Sequence, residues 1–493
     1  MAEARRQPPK GGSAPDGGAE GDIEPLDVPT RQLPAVDPSA PRPDRSAVVR
    51  LFGSDDFFRL WFAQVVSALG DWLGFVAIVA IATRIGGASP AAAVSLVMSA
   101  RLIPGFFLAP VAGVLVDRWD RKKVMVACDI TRAATLATLP FVTTIWGLVV
   151  VSLVLEIATL LWSPAKEASV PNLVPKEHLT TANSLSLVAA YGTFPVATLL
   201  FALFAKLAEW LQGIQALEVL RITQESVAIY VDVVTFAASA LMISTLAIPR
   251  RRRATTERRI DFGQAARELR EGWHFMFLNP TVRAVMVAIG TGLIGGGMLV
   301  PLGDVFSRQV LGGGSAGFGL LLTALGFGMA AGVGVLSVFQ RRIPKVGVFC
   351  GAIIAAGTAL IAGAAVSTLT PALVFVSILG VCAGAIYVLG FTILHETVLD
   401  ELRGRIFAAL YTLVRFCLLL SFAVGPLLAD RLGVLSDALL DGQVGIGGTT
   451  IALPGVRLAL WFAAVVILAA GVLAIVSLRL SDEPDGEHRS GPA

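Results

Sequence analysis

The chain has 493 residues, 55% hydrophobic and 15% charged, with a formal net charge of +3 and a mean hydropathy of +0.75. Soluble domains carry about 25% charged residues and far fewer apolar ones, so this composition excludes a water-covered globule: much of the surface must face lipid. The small net charge gives no footing for a nucleic-acid partner.

Residues 1–50 hold nine prolines among glycine, alanine and scattered charges. With no helical or strand period, this stretch is expected to be a disordered cytoplasmic tail. It has no apolar segment behind a basic start, so no cleavable signal is expected. Apolar runs long enough to cross about 30 Å of hydrocarbon follow. They fall at 58–83, 91–116, 123–143, 146–166, 182–206, 227–248, 282–303, 315–339, 345–367, 371–394, 405–429 and 457–479. The expected fold class is therefore an all-α polytopic membrane protein with twelve transmembrane helices.

Basic residues of the short loops fall mainly on one side, at Arg118, Arg121, Lys122, Lys123, Lys166, Lys176, Arg250 to Arg253, Arg341, Arg342, Lys345, Arg403 and Arg405. The opposite side has few, among them Arg84, Lys206, Arg221, Arg308 and Arg431. This asymmetry predicts cytoplasmic termini. Residues 249–281 are basic, and Phe262 to Phe277 have apolar residues at helical spacing, which predicts a cytoplasmic linker with a surface helix. The linker divides a six-helix N-terminal bundle, 51–248, from a six-helix C-terminal bundle, 282–480, with a tail at 481–493. On the opposite side, Ala208 to Glu225 reads as an amphipathic interfacial helix and Ser436 to Pro454 as a Gly-rich loop.

Cys128, Cys350, Cys382 and Cys417 lie inside apolar runs without a CxxC or neighbouring histidine, and are expected to be buried thiols, with no disulfide, metal site or cofactor. The pairs Gly292 and Gly296, and Gly328 and Gly332, have the spacing for close helix contact within one bundle. His395, beside Glu396, reads as a helix-end residue ahead of a proton carrier. No constellation of a membrane enzyme, no ATP-binding loop and no channel filter is found.

The most specific stretch joins helices two and three: Gly113-Val-Leu-Val-Asp117-Arg118-Trp-Asp120-Arg121-Lys122-Lys123. It resembles the loop motif of the major facilitator superfamily, G-x-L-x-D-R-x-G-R-[KR], with Asp120 standing where the motif has glycine. Further stretches resemble the branch of exporters related to the enterobactin exporter and macrolide efflux proteins. These are Ser67-Ala-Leu-Gly70-Asp71-Trp72, Ser163-Pro164-Ala-Lys166-Glu167, Ala182-Asn183-Ser184-Leu185, Val231-Asp232-Val-Val-Thr-Phe236 and Asp400-Glu401-Leu402-Arg403-Gly404-Arg405. In helix five, Tyr191-Gly192-Thr193-Phe194-Pro195 replaces the Gly-Pro pattern of antiporters, whereas Gly425-Pro426 in helix eleven keeps one.

The resemblance implies the major facilitator fold, two bundles rocking about a central cavity by alternating access. It implies a monomeric plasma-membrane transporter that exports a small amphipathic compound (drug, siderophore or secondary metabolite) against inward proton flow. A lipid flippase or a non-transporting sensor on the same fold is the alternative. In the family layout helices one, four, seven and ten line the cavity, which makes Asp71 and Glu156 the acids best placed to bind a proton or substrate. For Asp71 the competing and favoured expectation is a static ion pair with Arg101 that fixes helix packing. Arg101 and Arg415 belong to helices two and eleven, which face each other across the bundle interface in the family fold, and are gate or substrate-anion contacts or neutralised structural residues. For the cytoplasmic gate, Asp117 is expected beside the start of helix eleven near Arg405, and Arg121 is expected to reach Glu167. Gly113, Arg118, Lys122 and Arg403 complete that motif.

Charge inside a bilayer costs at least about 2.5–3.5 kcal/mol at a helix centre, so each such residue needs a partner or a task. Asp129 and Arg132, one turn apart in helix three, are expected to pair structurally. Asp232, about one turn from the outer end of helix six, is expected to be solvated scaffold.

Overall fold

The computed structural model describes residues 51–211, 223–248, 262–339, 342–398, 400–446 and 449–482. Twelve helices long and apolar enough to cross a membrane run through them, giving the twelve-helix polytopic fold. The first six spans are Asp55–Ile85, Pro90–Arg118, Arg121–Thr138, Ile145–Ser169, a two-segment fifth of Leu179–Tyr191 and Phe194–Leu211, and Ser226–Thr245. The remaining six are a two-segment seventh of Pro280–Gly297 and Leu299–Gln309, then Gly314–Phe339, Lys345–Ala365, Leu369–Thr397, Asp400–Leu440 and Gly455–Asp482. A further helix, Phe262–Leu278, precedes the seventh span, where the sequence predicts a linker helix. The expected N-terminal tail, residues 483–493 of the expected C-terminal tail, residues 249–261 of the linker and most of the interfacial segment before Glu225 lie outside the described residues, while residues 481 and 482 end the last helix.

Local chemistry sets several helix starts. Ser54 accepts from the Phe57 amide at 3.0 Å, and Asp55 and Asp56 in the first turn complement the helix dipole. Thr144 caps the fourth span and Asn279 the seventh, the latter with Pro280 at the first helical position. Asp120 caps the third span, its Oδ1 accepting from the Lys123 amide at 3.2 Å. Its backbone is extended, with φ −71° and ψ 110°. The turn therefore has no need of the motif's glycine at this position.

Glycine governs how closely the helices approach. A Cβ on Gly328 or Gly332 would meet the Ser377 or Val381 carbonyl at 2.3 or 2.2 Å, and one on Gly380 or Gly384 would meet the Leu325 or Met329 carbonyl at 2.3 Å. The eighth and tenth spans thus lie backbone to backbone. Gly292 and Gly296, expected to do the same, face open space. Their neighbours carry the contact instead: Gly295 lies against the Ala463 carbonyl and Gly297 against Ser421.

The expected Gly-rich loop near the chain's end is structured. The eleventh helix continues for 41 residues, to Leu440, about 60 Å at 1.5 Å per residue and so twice the hydrocarbon thickness. Gln443–Ile446 and Thr449–Ala452 then pair as an antiparallel hairpin. Asp441 and Gly442, with φ of 50° and 68°, make the entry turn. Buried Arg457 fastens its exit to the ninth-to-tenth loop, donating to the Val366 carbonyl at 3.0 Å and to Ser367 Oγ at 2.8 Å.

Three apolar clusters form the core. Two are built from the first six spans, with Phe318, Leu322 and Phe422 joining one of them, and the largest is built from the last six, with Ala91 and Met276 joining it. Between these two sets, the second segment of the fifth span packs on the eighth and the second span on the eleventh.

Candidate functional site

Arg132 organises the interior of the first six spans. It is 1% exposed and pairs with Asp129 at 3.0 Å, as their spacing predicts, and with Asp71 of the first span at 3.3 Å. Its guanidinium lies 4.7 Å from the Phe236 ring and 5.3 Å from the Trp162 ring. Asp129 is fully buried and also accepts from Ser239 Oγ at 2.7 Å. Asp71 keeps 34% exposure and is the least buried member of the group.

This pairing corrects one expectation. Asp71 does not meet Arg101, whose guanidinium lies 5.8 Å from the Phe75 ring. The first span approaches the sixth so closely at Gly70 and Gly74 that Asp71 comes within reach of the third span. Asp232 is a second correction. It is 1% exposed, because it lies on the face of the sixth span packed against the first. A Cβ on Gly70 would sit 2.0 Å from Asp232 Oδ1, and one on Gly74 2.5 Å from Oδ2.

Glu156 of the fourth span lies in the electrostatic reach of Arg101, Asp71, Arg415 and Arg132. Arg415 donates to the Gly105 carbonyl at 3.1 Å, joining the eleventh span to the second. Asp71, Arg101 and Arg415 therefore share one charged zone with Glu156 among the spans. Such a zone can trade a proton or a cationic group among carboxylates at small net cost, because a guanidinium stays beside them throughout.

The wall around it is braced by the first span. Trp61 Nε1 donates to the Leu185 carbonyl at 2.8 Å, Gln64 Nε2 to that of Ser186 at 3.0 Å and Trp72 Nε1 to that of Ala190 at 3.0 Å. These bonds hold the first segment of the fifth span up to its break at Gly192 and Thr193. Pro195 beyond the break is buried against Gly326.

At the end carrying the basic loops, Arg121 donates to the carbonyl of Ala168, next to Glu167, at 2.5 Å. Lys122 reaches the Leu246 carbonyl at 2.8 Å. Arg405 pairs with Glu271 of the Phe262–Leu278 helix at 2.5 Å, and Arg118 and Glu167 are exposed. The side chains at positions 113, 117 and 403 lie outside the described residues, and with them the expected contact of Asp117. Glu396, near His395, pairs with Lys345, and the His395 ring lies 4.5 Å from Phe407.

The opposite end holds a cluster that sequence reasoning missed. Glu225, 1% exposed ahead of the sixth span, pairs with Arg84 at 3.4 Å and with Arg308 at 3.4 Å. Arg308 also pairs with buried Asp304 at 2.8 Å and donates to Ser315. The second and eleventh spans meet nearby through Ser89 with Asp430 and Ser95 with the Phe422 carbonyl, and the fifth and eighth through Thr323 and Thr198 at 3.1 Å. The first and last six spans are thus bolted together at this end. Only the i,i+4 spacing of Asp304 and Arg308 is readable from sequence; Glu225 lies 83 residues from Arg308.

A profile of the Major Facilitator Superfamily matches residues 60–426. The uncharacterized MFS-type transporter YfiS of Bacillus subtilis (strain 168) is 26% identical over 419 residues, covering 80% of this chain and 92% of that relative. Macrolide efflux protein A of Streptococcus pyogenes is 23% identical over 410 residues, covering 79% and 93%. Among solved structures, a bacterial homologue of the human lysosomal transporter Spinster, inward-facing and unoccupied, superimposes with a TM-score of 0.66 at 15% identity, over 89% of this chain and 99% of that one. The nucleoside transporter NupG gives 0.62 at 13% identity, over 87% and 99%.

Proposed function

The chain belongs to the Major Facilitator Superfamily, and on that premise we propose that it is a proton-coupled exporter of a small amphipathic compound, drug-like, siderophore or other secondary metabolite. Membership makes it a multi-pass secondary transporter working by alternating access, not an enzyme. The reading places it as a monomer in a bacterial-type plasma membrane, both termini and the basic loops cytoplasmic. Residues 51–248 and 282–480 are its two rocking bodies and 249–281 their linker.

One observation carries the proposal: half-exposed Asp71 is held 3.3 Å from buried Arg132, in the electrostatic reach of Glu156. A carboxylate open to water and tied to a buried ion pair can report its protonation to the packing behind it. The sequence likeness to macrolide efflux proteins supports export of a lipophilic compound. Asp117, Arg118, Arg121, Lys122, Glu167, Arg403 and Arg405 form the cytoplasmic gate in this reading, with Gly113 at the helix approach.

The test is proton movement in proteoliposomes under an imposed pH gradient, with a panel of lipophilic compounds added to wild type, Asp71→Asn and Glu156→Gln. A compound that drains the gradient through wild type but not through one acid variant establishes antiport. Compounds or lipids that cross without protons would end that reading.

A lipid flippase is the second reading, favoured by a groove of about 580 Å³ between the third and fourth spans. Its walls include Ala127, Val154, Ile157 and Leu161, with Trp119, Asp120 and Lys123 also lining it. Fluorescent phospholipid scrambling in the same vesicles separates the two.

A further inference from the structure

Three buried or half-buried carboxylates surround Arg132, and the guanidinium pairs with two of them, Asp71 and Asp129. Asp232 is left over. It is 1% exposed, its Oδ1 accepts only from Thr235 of its own helix at 3.2 Å, and its Oδ2 has no hydrogen-bond partner. The groups acting on it from neighbouring helices are Asp71 of the first span, Arg132 of the third and Arg101 of the second. No cation pairs with it among the described residues.

Its seat is built. Gly70 and Gly74 leave no room for a side chain where the carboxyl lies, so the first span is shaped around Asp232 immediately beside Asp71. A free carboxylate so placed would be isolated from both water and counter-ion, a state proteins avoid by binding a proton. Asp129 Oδ1, also without a hydrogen bond, has the Arg132 cation at 3.0 Å; Asp232 Oδ2 has no such neighbour among the described residues and calls for an explanation.

Resting on the antiport reading above, we infer that Asp232 is the residue that holds the transported proton in the first six spans. Asp71, the more exposed of the two, passes the proton between Asp232 and water. Arg132 steadies whichever of Asp71, Asp129 and Asp232 are ionised, so a cation stays within the group through loading and unloading. When the proton leaves Asp232, an O–H bond breaks there and one forms on Asp71 or water. Repositioning of Arg132 toward the new charge pulls on both the first and third spans.

Infrared difference spectra of the full chain in lipid nanodiscs, between acid and alkaline pH, read the C=O stretch of a protonated carboxyl directly. Wild type is expected to show, above the band of the chain's solvated carboxyls, a separate higher-frequency band from a carboxyl in an apolar seat, which Asp232→Asn loses and Asp129→Asn keeps. An unchanged band in Asp232→Asn, or none in wild type, overturns the inference. A second arm uses proteoliposomes with radiolabelled erythromycin. Asp232→Asn is expected to keep equilibrium exchange, which shows that it folds, and to lose accumulation driven by the pH gradient. If wild type and Asp232→Asn accumulate equally, this inference falls while antiport stands. If wild type carries erythromycin without moving protons, antiport itself falls and takes the inference with it.

Discussion

Glu225 and Arg308 meet at 3.4 Å between the head of the sixth span and the seventh, tying the first six spans to the last six at the end opposite the basic loops. Glu225 is almost wholly buried while Arg308 keeps 27% exposure, so the pair is worth less than a fully buried bridge and more than a surface one. Arg308→Ala leaves both Glu225 and Asp304 short of a partner. It is expected to shift the balance toward opening at this end by about 1–2 kcal/mol, a factor of about 5–30. Cysteines replacing Ser89 and Asp430 report it: their oxidative cross-link should fall in Arg308→Ala and stay unchanged in Arg283→Ala, a substitution remote from the cluster. Equal cross-linking in both would show that the cluster does not hold this end shut.

The glycines divide into two kinds that give opposite signs. Gly332→Ala drives a Cβ to 2.2 Å from the Val381 carbonyl, and backbone cannot step aside as a flexible side chain would. A loss of about 1–3 kcal/mol is expected from such overpacking. Gly296→Ala meets open space and replaces the poorest unstrained helix former with the best, so a gain of up to about 1 kcal/mol is expected. Thermal unfolding in a mild detergent measures both. A matching loss in the two variants would refute the assignment of Gly296 to open space.

The twelve spans and the linker helix are legible in the sequence because hydropathy and helix length are local properties. Side-chain pairing is legible only where it is local too. Asp129 and Arg132, one turn apart, meet as expected. Asp71 and Arg132 are 61 residues apart, and the partner expected from sequence, Arg101, turns instead to Phe75. Asp232 departs from expectation because distance from a helix end says nothing about which face is packed, and that face is decided by two glycines in another helix. Gly292 and Gly296 depart for the same reason: spacing marks a stripe on a helix and leaves open whether anything lies against it. The hairpin after the eleventh helix is hidden by its short strands and abundant glycine.

Arg132 is the residue whose loss should cost most. Arg132→Ala strands Asp129 at 0% exposure, and breaking a buried pair from one side costs about 3–5 kcal/mol. Arg132→Lys keeps the charge but lacks the planar fork that reaches Asp71 and Asp129 together, so it is expected to recover only part of the loss. The double variant Arg132→Gln with Asp129→Asn removes both charges and should be more stable than Arg132→Ala alone. Thermal unfolding of the three settles the order. If the double variant is the least stable, Arg132 matters for its packing against Phe236 and Trp162 and not for its charge.

Asp120 stands where the superfamily motif has glycine, and its role as helix cap predicts how each replacement behaves. Asp120→Gly restores the motif residue. The Ncap position tolerates glycine at a cost of only a few tenths of a kcal/mol, whereas alanine there costs about 0.5–2 kcal/mol. Asp120→Asn keeps a capping oxygen and should match wild type. The expected stability order is therefore wild type and Asn together, then Gly, then Ala, read by thermal unfolding at moderate salt. Transport by Asp120→Gly should remain close to wild type, because the backbone at this position is already extended and needs no left-handed turn. Alanine as stable as aspartate would mean that the cap contributes nothing and that the third span is held at this end by the neighbouring bonds of Arg121 and Lys122 alone.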